Sequence, residues 1–397
     1  MSLNILHLHR ESVFPPSDGG EVRAWKTADR LADNGTVWFA QPCANNHVYD
    51  NGVRTIDIGN PIMQTKYGRI YLWNASLAAG PYFNEHQTKY TVDTLRQHPT
   101  TFDLVVCESP QMIRASQELA DYNNAELLVN FHNSMYELLD QQLRSRHVPS
   151  VLRQRAVNRL ERLEHSAIDA ASIVVFQSED DVAHYDLPED TLVSVIPNGC
   201  EYDQIANGGE PTQVKESLGI QDDETICVFV GAYDYEPNKR AANLICDTIA
   251  PELSEFTFVL AGRNPPDTTS MNVLTPGFVS DLPGLLSAAD VALCPLTMGS
   301  GTKLKMVDYL AAGIPIVTTP VGAQGLPIKD EQHAIIVDQP EAFPEAIRRI
   351  ERSPDMQESL GRNAASLGME YDWDRLLSEY DELLNELYNR PTILNNR

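Results

Sequence analysis

Residues 294–320, CPLTMGSGTKLKMVDYLAAGIPIVTTP, leave the chain few ways to fold. An apolar run over 290–296 ends in a turn through Gly299, Ser300, Gly301 and Thr302. Leu304, Val307, Leu310 and Ala311 then recur at helical spacing, until Gly313 and Pro315 stop the helix and a β-branched run over 316–319 begins. The unit reads strand, glycine turn, helix, strand, which implies parallel neighbours joined by a crossover. Its turn exposes backbone N–H groups at a helix start, where the dipole favours an anion. Lys303 and Lys305 stand beside those amides in a chain poor in lysine, so the turn is a place to hold a diphosphate. It is not a P-loop, because no GxxxxGK[ST] runs through it. Taken alone, such a turn is more often a tight connection with two solvated lysines.

The same alternation runs through the rest of the chain. A strand over 3–9 leads through Gly19 and Gly20 into a helix pattern at Val22, Trp25, Ala28, Leu31 and Ala32. Strands are predicted over 36–41, 54–58, 102–107 and 126–131, the last running into His132 and Asn133. An arginine-rich helix over 148–168 precedes strands over 172–177 and 192–196. Periodicity fails over 200–216, which reads as a linker. It resumes with a strand over 224–232 that holds Gly231 near its end, and another over 256–261 before Gly262 and Arg263. Further strands follow over 273–278, 291–296, 315–319 and 333–337. The expected plan is a domain over 1–199, a linker over 200–216, a second domain over 217–370 and a helix over 371–390. Both domains are α/β with parallel sheets. Tyr67, Tyr71, Trp73, Tyr82 and Phe83 suit either a lid over an acceptor or ordinary packing, and packing is preferred.

Thirty Lys and Arg face 56 Asp and Glu, a net charge of −26, which argues against nucleic-acid binding. The acids are dispersed, as suits a protein kept soluble in concentrated salt, so a halophilic, haloarchaeal source is expected. Loss of fold on dialysis into low salt is the check. No apolar run approaches the ~20 residues of a membrane span, and MSLNILHLHR carries no signal-peptide pattern, so a cytoplasmic protein is expected. The six cysteines lack paired spacing and read as reduced core residues.

Several stretches together resemble a known family. These are Ile196-Pro197-Asn198-Gly199, Phe229-Val230-Gly231, Leu260-Ala261-Gly262, Gly277-Phe278-Val279-Ser280-Asp281-Leu282, Ala288-Ala289-Asp290-Val291 and GSGTKLKMVDYLAAGIPIVTT. Pro15-Pro16-Ser17-Asp18-Gly19-Gly20 and His132 add to them. The chain is similar to GT-B-fold retaining glycosyltransferases of the large nucleotide-sugar-dependent group (glycosyltransferase family 4-like). That resemblance implies two Rossmann-like parallel-sheet domains facing across a cleft, with a C-terminal helix crossing back to the first domain. It implies transfer of a hexose from a nucleotide-diphosphate sugar to a glycan, lipid-linked or similar acceptor, with retention, no metal and no further cofactor. It assigns catalysis to His132, Lys303 and Gly20. It assigns the donor to Gly19, Gly20, Gly231, Arg263, Phe278, Val279, Ser300, Gly301, Thr302, Lys303, Lys305 and Asp308, with Asp308 on the ribose hydroxyls. Ser300 stands where the family has its first acid, and Ala232 where an arginine is common; Lys239 matches the family's lysine only approximately. Lys303 and Lys305 can supply the missing charge.

Three further points bear on function. Asp372-Trp373-Asp374 spells a DxD, but at a helix start such acids simply suit the dipole, and it is rejected as a metal site. Arg144, Arg146, Arg153, Arg155, Arg159 and Arg162 cluster, with Leu152, Ala156, Leu160 and Leu163 expected to face inward. An exposed helix paired with Glu161 and Glu164 is preferred there over a peripheral membrane site for a lipid-linked acceptor. The alternatives to a transferase are a nucleotide-sugar epimerase on the same fold and a non-catalytic subunit of a glycosylation complex. An NAD dehydrogenase is disfavoured, because no GxGxxG follows the first strand.

Overall fold

Short runs of β-branched and aliphatic residues become parallel strands here because helices cover both faces of each sheet. The computed structural model describes residues 2–14, 16, 19–42, 45–59, 85–108, 112–132, 134–145, 147–299 and 301–389. Ser300, Asn133 and the aromatic set Tyr67, Tyr71, Trp73, Tyr82 and Phe83 lie outside them, as do Pro15, Ser17 and Asp18. The chain divides into two units, Met1–Ile196 with Leu377–Arg397, and Pro197–Leu376.

The first unit holds β1 (Leu3–Leu8), β2 (Gly35–Gln41), β3 (Arg54–Asp57), β4 (Leu104–Cys107), β5 (Glu126–Asn130), β6 (Ile173–Phe176) and β7 (Leu192–Val195). They form one sheet in the order β3-β2-β1-β4-β5-β6-β7, with every pair parallel. LVVC in β4 and IVVF in β6 are buried at all four positions, as strands covered on both faces must be. The order reverses between β1 and β4, and open α/β sheets bind ligands beyond the carboxyl ends at such a point.

The C-terminal segment is two helices, Trp373–Leu377 and Glu379–Asn389, where one was expected, and the second of them belongs to this unit. The break falls where the chain passes from one unit to the other. The second helix buries Tyr380, Leu383 and Leu384. Asp381 binds Arg30 and, at 2.6 Å, Asn34; Glu379 accepts from Ser194 at 3.0 Å.

The helix Ser150–Ala170 departs from expectation at both ends. Burial begins only at Val157, so Leu152 is 56% exposed, not inward-facing. Glu164 pairs with no arginine among the described residues: its carboxyl is buried and accepts the Tyr185 hydroxyl at 2.9 Å. Arg144 and Arg153 both reach Asp140 instead, at 2.7 and 3.0 Å.

The second unit holds β8 (Thr225–Val230), β9 (Phe256–Ala261), β10 (Val273–Gly277), β11 (Val291–Cys294), β12 (Ile316–Thr318) and β13 (Ile335–Ile336). The order is β10-β9-β8-β11-β12-β13, again parallel throughout. Residues 200–216 are not a linker. They form the helices Tyr202–Asn207 and Pro211–Leu218, whose Ile205 and Val214 enter this unit's core. The periodicity failed because both helices are short and meet at Gly208 and Gly209, the latter at φ +83°. The change of unit therefore comes earlier, between Ile196 and Pro197. Cys107, Cys200, Cys227 and Cys294 are buried, and Cys246 is half-buried.

Candidate functional site

In the second unit, the expected donor residues follow the carboxyl ends of four adjacent strands. Gly231 follows β8, Arg263 follows β9, Phe278 follows β10, and the turn to Lys303 follows β11. Gly299 and Gly301 take φ +129° and +66°, values that favour glycine, and bend the chain into the helix Leu304–Ala311. No side chain caps that helix at Lys303. The turn is buttressed from two sides: Asn198 Nδ2 donates to the Thr302 carbonyl at 2.9 Å, and Gly325 packs against Thr302. Lys303 folds back so that its Nζ donates to the Gly301 carbonyl at 2.6 Å.

Lys305 reaches across to β8. Its Nζ donates to Asn238 Oδ1 at 2.7 Å and lies 4.0 Å from the centre of the Phe229 ring. A Cβ on Gly231 would come within 3.0 Å of that nitrogen, so glycine there leaves the ammonium room. Burial lowers the Lys305 pKa to about 8, and its neighbours are a neutral amide and a ring face. One turn along, burial pushes the Asp308 carboxyl up to about 7. It makes no hydrogen bond or ion pair among the described residues. A cation and a carboxylate, each disfavoured in its charged form by burial, are thus held three residues apart and not spent on each other.

The other expected residues are placed as follows. Arg263 faces Asp234 at 3.2 Å, and its carbonyl accepts from Tyr233. Phe278 is 82% exposed, while Val279 packs on the core. Lys239 is exposed on the helix Glu236–Leu244. Asn238 was missed. It is buried, holds Lys305 with Oδ1 and donates Nδ2 to the Ala232 carbonyl at 2.9 Å. The available signal was a polar residue on the inward face of that helix.

In the first unit, Gly19 and Gly20 form the first turn of the helix Gly19–Ala32 and not a loop. His132, two residues past β5, binds Glu108, one residue past β4: Nε2 to Oε2 is 2.7 Å. The other Glu108 oxygen accepts from Asn130 Nδ2 at 2.6 Å and lies 2.9 Å from His7 Nε2. Tyr380 closes the network by donating to Asn130 Oδ1 at 2.8 Å. Burial alone would raise the Glu108 carboxyl, but the His132 hydrogen bond and the nearby His7 more than offset it and hold it well below the usual range. Nearby His9 is held below its ordinary pKa by burial. Glu108, His7, Asn130 and Tyr380 went unrecognised in the sequence. An acid ending the apolar run LVVC was the one legible cue.

Asp372 of the DxD stretch accepts from the backbone N–H groups of Tyr202 and Asp374. Among the described residues no helix is long and apolar enough to cross a membrane.

Two parallel-sheet α/β units, of seven and six strands, define the GT-B class of fold. Residues 224–353 match the family model for glycosyl transferases group 1. Over 219 residues the chain is 26% identical to an uncharacterized glycosyltransferase of Methanocaldococcus jannaschii, covering 49% of this chain and 54% of that relative. Over 250 residues it is 25% identical to a D-inositol 3-phosphate glycosyltransferase of Actinosynnema mirum, covering 53% and 58%. The chain therefore spans little more than half the length of these curated relatives. Among solved structures, it is similar to Anabaena HepE in complex with UDP and glucose, with a TM-score of 0.70 and 14% identity over 97% of this chain and 100% of that one. It is also similar to sucrose-phosphate synthase from Thermosynechococcus elongatus, with a TM-score of 0.71 and 15% identity over 97% and 99%.

Proposed function

We propose that the chain is a glycosyltransferase that moves a hexose from a nucleotide-diphosphate sugar to a glycan, lipid-linked or similar acceptor, with retention and without a metal. The observation that carries this reading is the Lys305 ammonium, held by neutral Asn238 beside Gly231, with Asp308, whose carboxyl has no partner among the described residues, one turn along. When the bond from the anomeric carbon to the diphosphate breaks, negative charge grows on the leaving oxygens. Lys303, Lys305 and the start of the helix Leu304–Ala311 supply positive potential there. Asp308 is suited to accept hydrogen bonds from ribose hydroxyls. Complexes of the Anabaena protein with UDP and with UDP-glucose support a nucleotide-sugar donor and make uridine the first base to test.

The experiment is thermal shift in concentrated KCl with a panel of nucleoside diphosphates and nucleotide sugars, on wild type, Lys303→Ala and Asp308→Ala. Ligand that binds the folded chain raises its midpoint. One nucleotide should do so, with the shift lost in both variants. No shift with any nucleotide, in a folded protein, rejects the donor site and favours a non-catalytic subunit.

The finer reading includes peripheral contact with a membrane through the start of the helix Ser150–Ala170. Val151 and Leu152 are 76% and 56% exposed there, close to exposed Arg155. A solved glycosyltransferase of lipopolysaccharide biosynthesis, WaaG, has the same fold at a TM-score of 0.68, which supports testing a lipid-linked acceptor. Failure to float with anionic liposomes at working salt removes the membrane contact from this reading.

A further inference from the structure

Glu108 is fully buried and ionised, so it accepts hydrogen bonds and donates none. Its contact with His132 therefore requires the proton on Nε2. The imidazole has two nitrogens, and the second, Nδ1, meets no partner among the described residues. The His132 side chain is 18% exposed, whereas His7, on the same carboxylate, is wholly buried. Asn130, itself held by Tyr380, fixes Glu108 from the other side. Arg23, near the Tyr380 hydroxyl, donates to the Ile196 carbonyl.

We infer that Glu108 is a positioning residue: it locks His132 as the Nε2–H tautomer, so that Nδ1 points a lone pair at a substrate hydroxyl. The ligand chemistry is a sugar or polyol O–H that donates to Nδ1. This rests on the glycosyltransferase reading above, with the His132 cluster as its hydroxyl-binding part. His7 shares the carboxylate, its Nε2 2.9 Å from Glu108, and burial holds His9 below its ordinary pKa. An amide in place of Glu108 can donate as well as accept. It therefore admits the opposite tautomer, whose Nδ1–H cannot take a donated proton.

The test pairs a spectroscopic with a kinetic readout. Two-bond nitrogen–proton correlation spectra of the histidine-labelled protein should show His132 as Nε2–H in wild type and E108D, and moved toward Nδ1–H in E108Q. Transfer should fall tenfold to a hundredfold in kcat in E108Q, as loss of one charge-assisted contact implies, and recover in part in E108D. H132A should be as slow as the E108Q/H132A pair. Nucleotide-induced thermal shifts should be unchanged in every variant, which also reports that each is folded. An Nδ1–H tautomer in wild type overturns the inference, as does an E108Q enzyme that moves its tautomer and keeps its rate. If no transfer is seen in wild type, the transferase reading fails separately, and the spectra still decide the role of Glu108.

Discussion

Replacing Glu164 by glutamine should make the first unit more stable above neutral pH and flatten its pH dependence. The Glu164 carboxyl is buried beneath the helix Ser150–Ala170, takes a hydrogen bond from Tyr185, and is pushed by burial from 4.5 up to about 8. In the unfolded chain it ionises near its ordinary value. The folded pKa is the raised one, so the folded state holds its proton more tightly. The stabilisation is fully present below the unfolded pKa and is lost as pH rises through the folded one. Each pH unit within that window removes about 1.4 kcal/mol, so this one group withdraws about 3–4 kcal/mol between pH 5 and 8. Glutamine keeps the shape and an acceptor for Tyr185 but carries no proton to lose. Denaturant melts at pH 5, 6.5, 8 and 9, in fixed high salt, give the comparison. The two proteins should differ most at pH 8–9, with the variant ahead, and converge toward pH 5. Parallel curves, offset by a constant amount, refute the reasoning, because they would mean that Glu164 is as ionised in the folded state as in the unfolded one.

Two other outcomes are expected in the second unit. Nucleotide affinity should peak between two limbs, weakening below about 7 as Asp308 takes up a proton and above about 8 as Lys305 gives one up. Calorimetric titration across pH should lose the acid limb in D308N and the alkaline limb in K305M, the latter at a cost of tenfold to about a hundredfold in affinity. Gly262→Ala should destabilise by on the order of 3 kcal/mol, read as a lower melting midpoint. Gly262 sits at φ +131°, and an added Cβ would lie 1.9 Å from the Gly231 carbonyl, forcing apart the ends of β8 and β9.

Most strands were legible because a strand buried on both faces has to be written as a short unbroken apolar run, and LVVC, IVVF and VALC are such runs. The helix Leu304–Ala311 was legible from its spacing, and the turn before it from Gly299 and Gly301. The two helices within 200–216 were not, since six and eight residues are too few to show a period. Leu152 misled because its spacing on the helix is that of a buried residue, while the helix has buried residues only from Val157 onward.

The sequence by itself determined the alternation of strand and helix, the glycine turn, the acidic surface and the placing of Lys305 and Asp308 on one helix. All of these depend on residues within a few positions of one another. Tertiary structure alone decided what those groups face. Lys305 is partnered by Asn238 across 67 residues, His132 by Glu108 across 24, and Asn130 by Tyr380 across 250. No local pattern records such pairs. They exist because parallel strands bring their carboxyl ends together, whatever the length of chain between them, and there burial sets whether each group keeps its charge.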